Sequence, residues 1–191
     1  PLAFGNQQPP ANDALVKLLQ GWGVTVNKDL ALDTSGVGQI FGLGPEIPLV
    51  TDYDTHAIVR EMRGIATVFP LVRTLDVKSD GAASVEKLLE TSENSYATTS
   101  LGSNQIRIDP KKDKRGPFVL AAAGTLRGEQ EGRFVVTGGS MWASNNFLNS
   151  RSVGNRDLFL NMMNWLSSDE DLIAIRPKDP EDRRLSLTQA Q

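Results

Sequence analysis

The sequence contains no cysteine and only one histidine, His56. The absence of thiols excludes disulfide bonds, cysteine nucleophiles and metal sites built on cysteine. A single imidazole likewise excludes a metal site with several histidine ligands in one chain. These two absences remove many of the side chains on which catalysis usually depends, so the composition favours binding over chemistry.

The chain also lacks a strong charge excess and a long apolar run. Its 20 Lys and Arg residues nearly balance its 23 Asp and Glu residues, for a formal charge of −3. This balance argues against a broad nucleic-acid-binding surface, and we predict no nucleic-acid partner.

The longest nearly uninterrupted apolar run, "FVLAAAG" at 118–124, is far shorter than the roughly 20 residues that span a bilayer. We therefore expect any contact with a membrane to depend on segments outside this chain.

Apolar residues make up 39% of the 191 residues, which is enough for a core. Three segments have the spacing of amphipathic helices. The first begins at Asn12 and Asp13, the second covers "ASVEKLLE" at 83–90, and the third covers "NRDLFLNMMNWL" at 155–166. In the third segment, Asn155 is the predicted N-cap, and one stripe is expected to carry the large apolar residues Phe159, Met162, Met163 and Leu166.

Strands are predicted between these helices. "IATVFP" and "TLDV" have the β-branched and apolar character of short strands, and "RFVVTGG" at 133–139 is predicted to be the best buried strand. Because strands alternate with helices, we predict an α/β fold with an open, mostly parallel sheet flanked by helices. Ligands of such sheets bind beyond the carboxyl ends of the strands.

The segment "FVVTGGSMWASNNF" at 134–147 passes from a strand into a corner of small and amide side chains. Amides donate and accept hydrogen bonds, and an indole offers a flat apolar face, so the corner suits recognition without chemistry. Asn and Ser also favour turns and caps, which leaves a purely structural role open. With His56, the candidate contact residues are Gly138, Gly139, Ser140, Trp142, Asn145, Asn146 and Asn155.

A serine hydrolase is a further alternative at this corner. Ser140 follows two glycines, but Trp142 stands where the nucleophile elbow needs its second glycine. His56 is the only available base, with Asp52 or Asp54 as the orienting carboxylate. We predict no catalytic residue, no cofactor and no metal ligand.

Several segments resemble, in order, the auxiliary component of gliding-motility-type ABC transport systems. They are "YDTHAIVREMRGIATVFPLVRTL", "LLETSENSYATT", "GRFVVTGGSMWASNNF", "GNRDLFLNMMNWL" and "DLIAIRPKDPEDRRLSLTQAQ". The resemblance extends from about Asp13 to Gln191. The chain departs from that family in two places: Gly139 and Met141 replace acidic residues of the corner, and Ala57 replaces the proline that typically follows the histidine.

The resemblance implies a flavodoxin-like or class I glutamine-amidotransferase-like domain over residues 1–175, and a charged connector over 176–191 that leads to a transmembrane helix. Because the chain begins with Pro1 and shows no signal peptide, we expect it to be a truncated fragment of a longer protein. The implied location is the periplasmic or extracellular face of a bacterial inner membrane.

The function implied by the resemblance is that of a non-catalytic accessory domain which contacts the permease, the ATPase or another membrane component. Self-association is a further expectation, because an incomplete sheet exposes a strand edge. A sensor domain for small molecules or glycans at the 138–149 corner is the alternative. A serine hydrolase or an amidotransferase-like enzyme is the third reading, although the amidotransferase chemistry needs a cysteine that this chain lacks.

Overall fold

The structure is a computed structural model that describes residues 12–79, 81–100, 108–128 and 132–168. The predicted connector at 176–191 lies outside these residues. The helices are α1 Asp13–Gly21, α2 Val37–Ile40, α3 Asn145–Leu148 and α4 Asn155–Leu166, with short 3-10 turns at Arg60–Met62 and Met141–Ala143. The strands are β1 Val24–Val26, β2 Leu30–Asp33, β3 Leu49–Val50, β4 Thr67–Val68, β5 Leu75–Val77, β6 Ala83–Glu90, β7 Ser95–Thr98, β8 Lys114–Arg115, β9 Val119–Leu126 and β10 Arg133–Thr137.

The strands form three sheets, of which the largest is centred on β9. β6 pairs with β9 from end to end, and β10 pairs with its other side. Val119 at the start of β9 pairs with Glu90 of β6 and with Leu75 of β5, so β5 lies on the same side of β9 as β10. β1 extends the sheet beyond β5, while β2, β7 and β8 form a second sheet and β3 and β4 a third.

The predicted open, mostly parallel, flavodoxin-like sheet is wrong, because every pairing between described strands is antiparallel. Connection length gives the physical reason. A parallel pair needs a crossover of a dozen or more residues, whereas only residues 127–132 separate β9 from β10. Carboxyl ends of antiparallel neighbours point to opposite edges, so the rule that places ligands beyond the strand ends of a parallel sheet does not apply here.

The predicted helix over "ASVEKLLE" is also wrong, because these residues form β6. Val85 packs in one core and Leu88 in another, on opposite faces of the sheet. Register shifts at Lys87, Leu89 and Glu90 mark a bulge that interrupts the alternation of inward and outward side chains. The bulge lets the adjacent Leu88 and Leu89 both pack in the larger core, and their separation of three and four residues from Val85 imitates the period of a helix.

Two apolar cores lie on the two faces of the large sheet. The smaller core joins Leu19 of α1 to Val85, Ala122, Phe134 and neighbouring side chains. The larger core contains the described side chains of Ala31, Val50, Tyr53, Ile58, Val59, Met62, Phe69, Val72, Leu88, Leu89, Leu120, Ala121, Ala123, Trp142, Leu158, Met162 and Trp165. The strand β9 therefore separates the two cores and contributes to both. It is also more completely buried than β10, so the prediction that "RFVVTGG" is the best buried strand is wrong.

The first and third predicted helices are present, with differences in their details. The Asn12 side chain caps α1 by accepting a hydrogen bond from Leu15 N at 3.3 Å, as predicted. In α4 the N-cap is Gly154, and Asn155 is the first helical residue. The buried stripe of α4 is also rotated from the predicted one, because it contains Leu158, Asn161, Met162 and Trp165 while Met163 is exposed.

Candidate functional site

Gly138, at the start of the predicted corner, is part of the backbone packing of the sheet. Its N–H donates to Leu120 O at 3.0 Å, and its carbonyl accepts from Arg73 N at 3.1 Å. A β-carbon at this position would clash with Arg73 O. The sequence therefore needs glycine here so that β10 can pass close to the segment that leads into β5.

Trp142 lies in the larger core and is 4% exposed. Its ring centroid is 5.6 Å from that of Phe69 and 6.2 Å from that of Phe159. The indole Nε1 donates to Thr137 Oγ1 at 3.3 Å. Because both its apolar face and its polar atom are occupied within the protein, Trp142 offers no stacking surface to a ligand.

Asn155 is fully buried and connects three parts of the chain. Its Oδ1 accepts from Val68 N at 3.0 Å, and its Nδ2 donates to Val68 O and Trp142 O, both at 2.9 Å. The side chain thereby joins β4 and the Met141–Ala143 turn to the start of α4. This arrangement gives Asn155 a structural role in the larger core.

The remaining predicted contact residues of the corner are more accessible. Ser140, Asn145 and Asn146 are exposed, and Gly139 is half-buried. Ser140 precedes the Met141–Ala143 turn, while Asn145 and Asn146 begin α3. These residues remain a predicted contact surface, which consists of one hydroxyl and two amides without the indole.

His56 is half-buried at the edge of the larger core. Its Nδ1 accepts a hydrogen bond from Ile58 N at 3.2 Å, which fixes the ring against its own turn. The ring meets Trp165 edge-on, with 5.1 Å between the ring centroids. Of the two candidate orienting carboxylates, Asp54 accepts from Thr55 N at 2.7 Å and Asp52 is exposed.

A groove of about 570 Å³ lies between β5, β6 and the segment that enters β9. Its volume falls within the range of typical ligand sites. Apolar groups line part of its wall and charged groups the rest. The lining residues are Asp54, Leu75, Asp76, Val77, Lys78, Ser79, Val85, Glu86, Lys87, Glu90, Pro117, Phe118 and Val119.

The rim of this groove, hereafter the β5–β6 groove, is mainly acidic, with four carboxylates and two lysines. Lys87 Nζ donates to Glu90 Oε2 at 2.8 Å and lies 4.0 Å from Asp54 Oδ2. The hydrogen bond to Glu90 raises the pKa of Lys87 above its usual value. Lys87 therefore neutralises part of the rim, and the carboxylates of Asp76 and Glu86 leave it acidic overall.

The sequence predicted no site at this groove, because "ASVEKLLE" was expected to form a helix. The signal that identifies the strand is the alternation at its start, where Ala83 and Val85 are buried and Ser84 and Glu86 are exposed. A period of two indicates a strand with one face on the core.

Within the described residues, no cluster of three or more histidine, aspartate or glutamate side chains is placed to hold a metal ion. The helices of the described part of the chain are also too short or too polar to span a bilayer.

No family model matches the chain, and no curated protein matches it. Among solved structures, the chain is similar to one described as "mmIFT52 N-terminal domain", with a TM-score of 0.58 and 19% sequence identity. The match covers 80% of this chain and 57% of that chain, so this chain spans little more than half the length of its structural neighbour. At this identity the similarity concerns the fold alone, and it agrees with the mostly antiparallel architecture in place of the flavodoxin-like or amidotransferase-like one.

Proposed function

We propose that this chain is a non-catalytic accessory domain of an ABC-type transport system, and that it contacts a partner subunit through the β5–β6 groove. The contact is supported by the groove itself, which combines accessible apolar groups such as Val77 and Pro117 with an acidic rim. An extended segment with apolar and basic side chains is complementary to such a surface.

The transport setting of this proposal rests on the ordered sequence resemblance between about Asp13 and Gln191. The flavodoxin-like fold implied by that resemblance is wrong. We therefore propose for this chain the role of an auxiliary transport component but not that fold. The partners would be the permease, the ATPase or another membrane component, and the domain would lie on the extracytoplasmic face of the membrane.

The sensor alternative has weaker support. A glycan or small molecule at the corner would need an aromatic platform beside hydrogen-bonding groups. Trp142 is buried, so the corner presents the polar side chains of Ser140, Asn145 and Asn146 without that platform.

Site-specific photo-crosslinking tests the proposal. A photoreactive amino acid would replace Val77 in the groove or, as the control, Met163 on the exposed face of α4. The experiment is performed in the cells in which the protein is naturally made. We expect a crosslink from position 77 to an ABC-type permease or ATPase subunit, identified by mass spectrometry.

Charge reversal provides the matched test of the rim. Glu86→Lys with Asp76→Lys should weaken the crosslink from position 77, while Asp13→Lys on the exposed start of α1 should leave it unchanged. A crosslink from position 77 only to another copy of the chain, or to no membrane component, would contradict the proposed function.

A further inference from the structure

A second surface is distinct from the β5–β6 groove. Residues 34–45, hereafter the apolar loop, follow β2 and contain α2. Val37, Ile40 and Phe41 are 44%, 81% and 68% exposed, and they share one face at the spacing of a helical turn. Their combined exposed area is roughly 400 Å², which is the size of the largest apolar patch on a typical monomer, and such patches are often functional.

The base of the apolar loop is fixed to the body of the protein. Asp33 N donates to Pro45 O at 2.8 Å, and Thr34 N donates to Asn94 O at 2.9 Å. The Asp33 carboxylate also accepts from Ser35 N at 2.8 Å and from Ser92 Oγ at 2.9 Å. A compact loop whose ends meet in this way is an Ω-loop, a form that frequently carries function.

The tip of the apolar loop satisfies much of its own backbone. Phe41 N and Leu43 N both donate to Gly38 O at 3.0 Å, and Gly42 N donates to Gln39 O at 2.9 Å. Gly36 and Gly42 adopt positive φ angles of 81° and 73° on either side of the turn. These corners turn the exposed side chains outward while the N–H groups remain paired within the loop.

The apolar loop carries no charged side chain from Thr34 to Pro45. This composition matters because a hydrocarbon environment excludes charge and requires backbone polar groups to be satisfied internally. The exposed patch is also about half of the roughly 800 Å² per partner that a stable protein interface buries. Neutral composition, an internally bonded tip and a small apolar area together suit shallow insertion into a lipid surface better than a dimer interface.

We propose that the apolar loop inserts Val37, Ile40 and Phe41 into the interfacial region of a lipid bilayer. Insertion depends on apolar burial and not on charge, so zwitterionic and anionic membranes are bound equally and salt has little effect. Neither the β5–β6 groove nor a transport partner takes part in this insertion.

The absence of cysteine makes the test direct, because a single introduced thiol can be labelled selectively. The 191-residue chain with Phe41→Cys, labelled with an environment-sensitive NBD dye, is mixed with vesicles of phosphatidylcholine alone or of phosphatidylcholine and phosphatidylglycerol. We expect a blue-shifted, stronger emission that brominated acyl chains quench, with similar titration curves for both vesicle types. Met163→Cys, which labels an exposed apolar position on α4, is the control and should not respond.

A second variant tests the same proposal without a dye. Ile40→Ser with Phe41→Ser should lower the fraction that floats with vesicles by roughly tenfold or more, because the two most exposed apolar side chains are lost. Both positions are exposed, so circular dichroism and the unfolding midpoint should be unchanged.

No response at position 41, or an equal response at position 163, would overturn the proposal. Binding only to vesicles that contain phosphatidylglycerol would also overturn it, because charge would then dominate. The unsubstituted protein could also fail to bind vesicles while Ile40→Ser with Phe41→Ser abolishes the crosslink from position 77 to a membrane protein. In that case the patch contacts protein, and the lipid proposal fails. Since the vesicle experiments contain no transport subunit, their failure is independent of failure of the proposed function.

Discussion

Asn155 shows why a polar side chain belongs in the core of this molecule. All three of its hydrogen bonds are to backbone groups of Val68 and Trp142, and the residue is fully buried. Asn155→Ala would leave a buried N–H and two buried carbonyls without this partner, and each such group costs about 1–3 kcal/mol. Three groups at the lower limit of that range give an expected loss of about 3 kcal/mol or more in the free energy of unfolding, measured by urea denaturation.

The control for this prediction is Asn145→Ala, at an exposed position of the same chain region. A change within about 0.5 kcal/mol is expected there. Equal effects at both positions would show that the Asn155 hydrogen bonds do not stabilise the fold.

Tyr53 makes the free energy of unfolding of the protein depend on pH in alkaline solution. Its hydroxyl donates to Ile65 O at 2.6 Å and lies 2.9 Å from Thr67 Oγ1, and the residue is 6% exposed. Desolvation by burial raises the pKa of Tyr53 from 10.0 to about 12, against the hydrogen bonds to Thr67, which lower it.

Below pH 10, both folded and unfolded chains keep this phenol protonated. Above pH 10 the unfolded chain releases the proton while the folded chain retains it, so the Tyr53 contribution to stability falls between pH 10 and about 12. The expected loss is roughly 2–3 kcal/mol over that interval. Tyr53→Phe should be less stable than the wild type at pH 7 by about 1 kcal/mol, since its hydrogen bonds are lost.

Urea titrations of both proteins at several pH values check this prediction. The wild type's advantage over Tyr53→Phe, about 1 kcal/mol at pH 7, should shrink above pH 10 and reverse before about pH 12, because the loss expected in the wild type is larger than that advantage. A constant difference up to pH 12 would show that Tyr53 titrates at its ordinary value in the folded protein.

Single-residue properties were only partly predictable from the sequence. Composition alone excludes cysteine chemistry, because the chain contains no cysteine and that inference needs no geometry. It did not show that Trp142 and Asn155 are core residues, because aromatic and amide groups have the same chemistry inside a protein and on its surface. Their roles depend on Val68 and Phe69, which are distant in sequence and adjacent in space.

Among the elements, α1 presents two adjacent leucines in opposite environments. Leu19 is 8% exposed and packs in the smaller core, whereas Leu18 is 49% exposed. Leu19→Ala should therefore cost about 2–4 kcal/mol, while Leu18→Ala should cost less than about 1 kcal/mol. Both substitutions increase helix propensity by a similar amount, so their difference reports packing alone.

Thermal or urea unfolding of the two variants provides the measurement. Similar losses in both would mean that the exposed side of α1 is covered in solution, for example by a second copy of the chain. Repeating the measurement at several protein concentrations separates that outcome from simple packing, because only self-association depends on concentration.

The elements differ in how far local sequence defines them. The start of α1 was predictable because Asn12 caps it with its own side chain. β6 was not, because Val85, Leu88 and Leu89 have a helical spacing in the sequence, although Val85 packs in the smaller core and the bulge brings Leu88 and Leu89 together in the larger one. The bulge depends on the register with β9, which is a long-range property.

At the scale of the whole molecule, the strand order depends on pairing between distant segments. The sequence indicates where strands occur, and β4, β5 and β10 were found at the predicted positions. Their orientation was mispredicted because alternation of strands and helices was taken as evidence of parallel pairing. The short connection between β9 and β10 was the signal that favoured a hairpin.

The same strand order predicts that the two cores unfold as one unit. Ala121 and Ala123 of β9 belong to the larger core, and Ala122 between them belongs to the smaller one. Neither core can lose β9 without exposing the other, so one cooperative transition is expected. Leu158→Ala in the larger core should cost about 2–5 kcal/mol, and Leu19→Ala in the smaller one about 2–4 kcal/mol, as given above.

Because these two leucines belong to separate clusters on opposite faces of the sheet, their effects should add to within about 0.5 kcal/mol in the double variant. Urea unfolding followed by far-ultraviolet circular dichroism and by tryptophan fluorescence provides the measurement. Trp22 packs against the smaller core, while Trp142 and Trp165 lie in the larger one, so fluorescence reports both. Two separate transitions would show that the faces are held by independent contacts. If the double variant loses less free energy of unfolding than the sum of the two single losses, by more than about 1 kcal/mol, the cores are coupled through β9 in the native state.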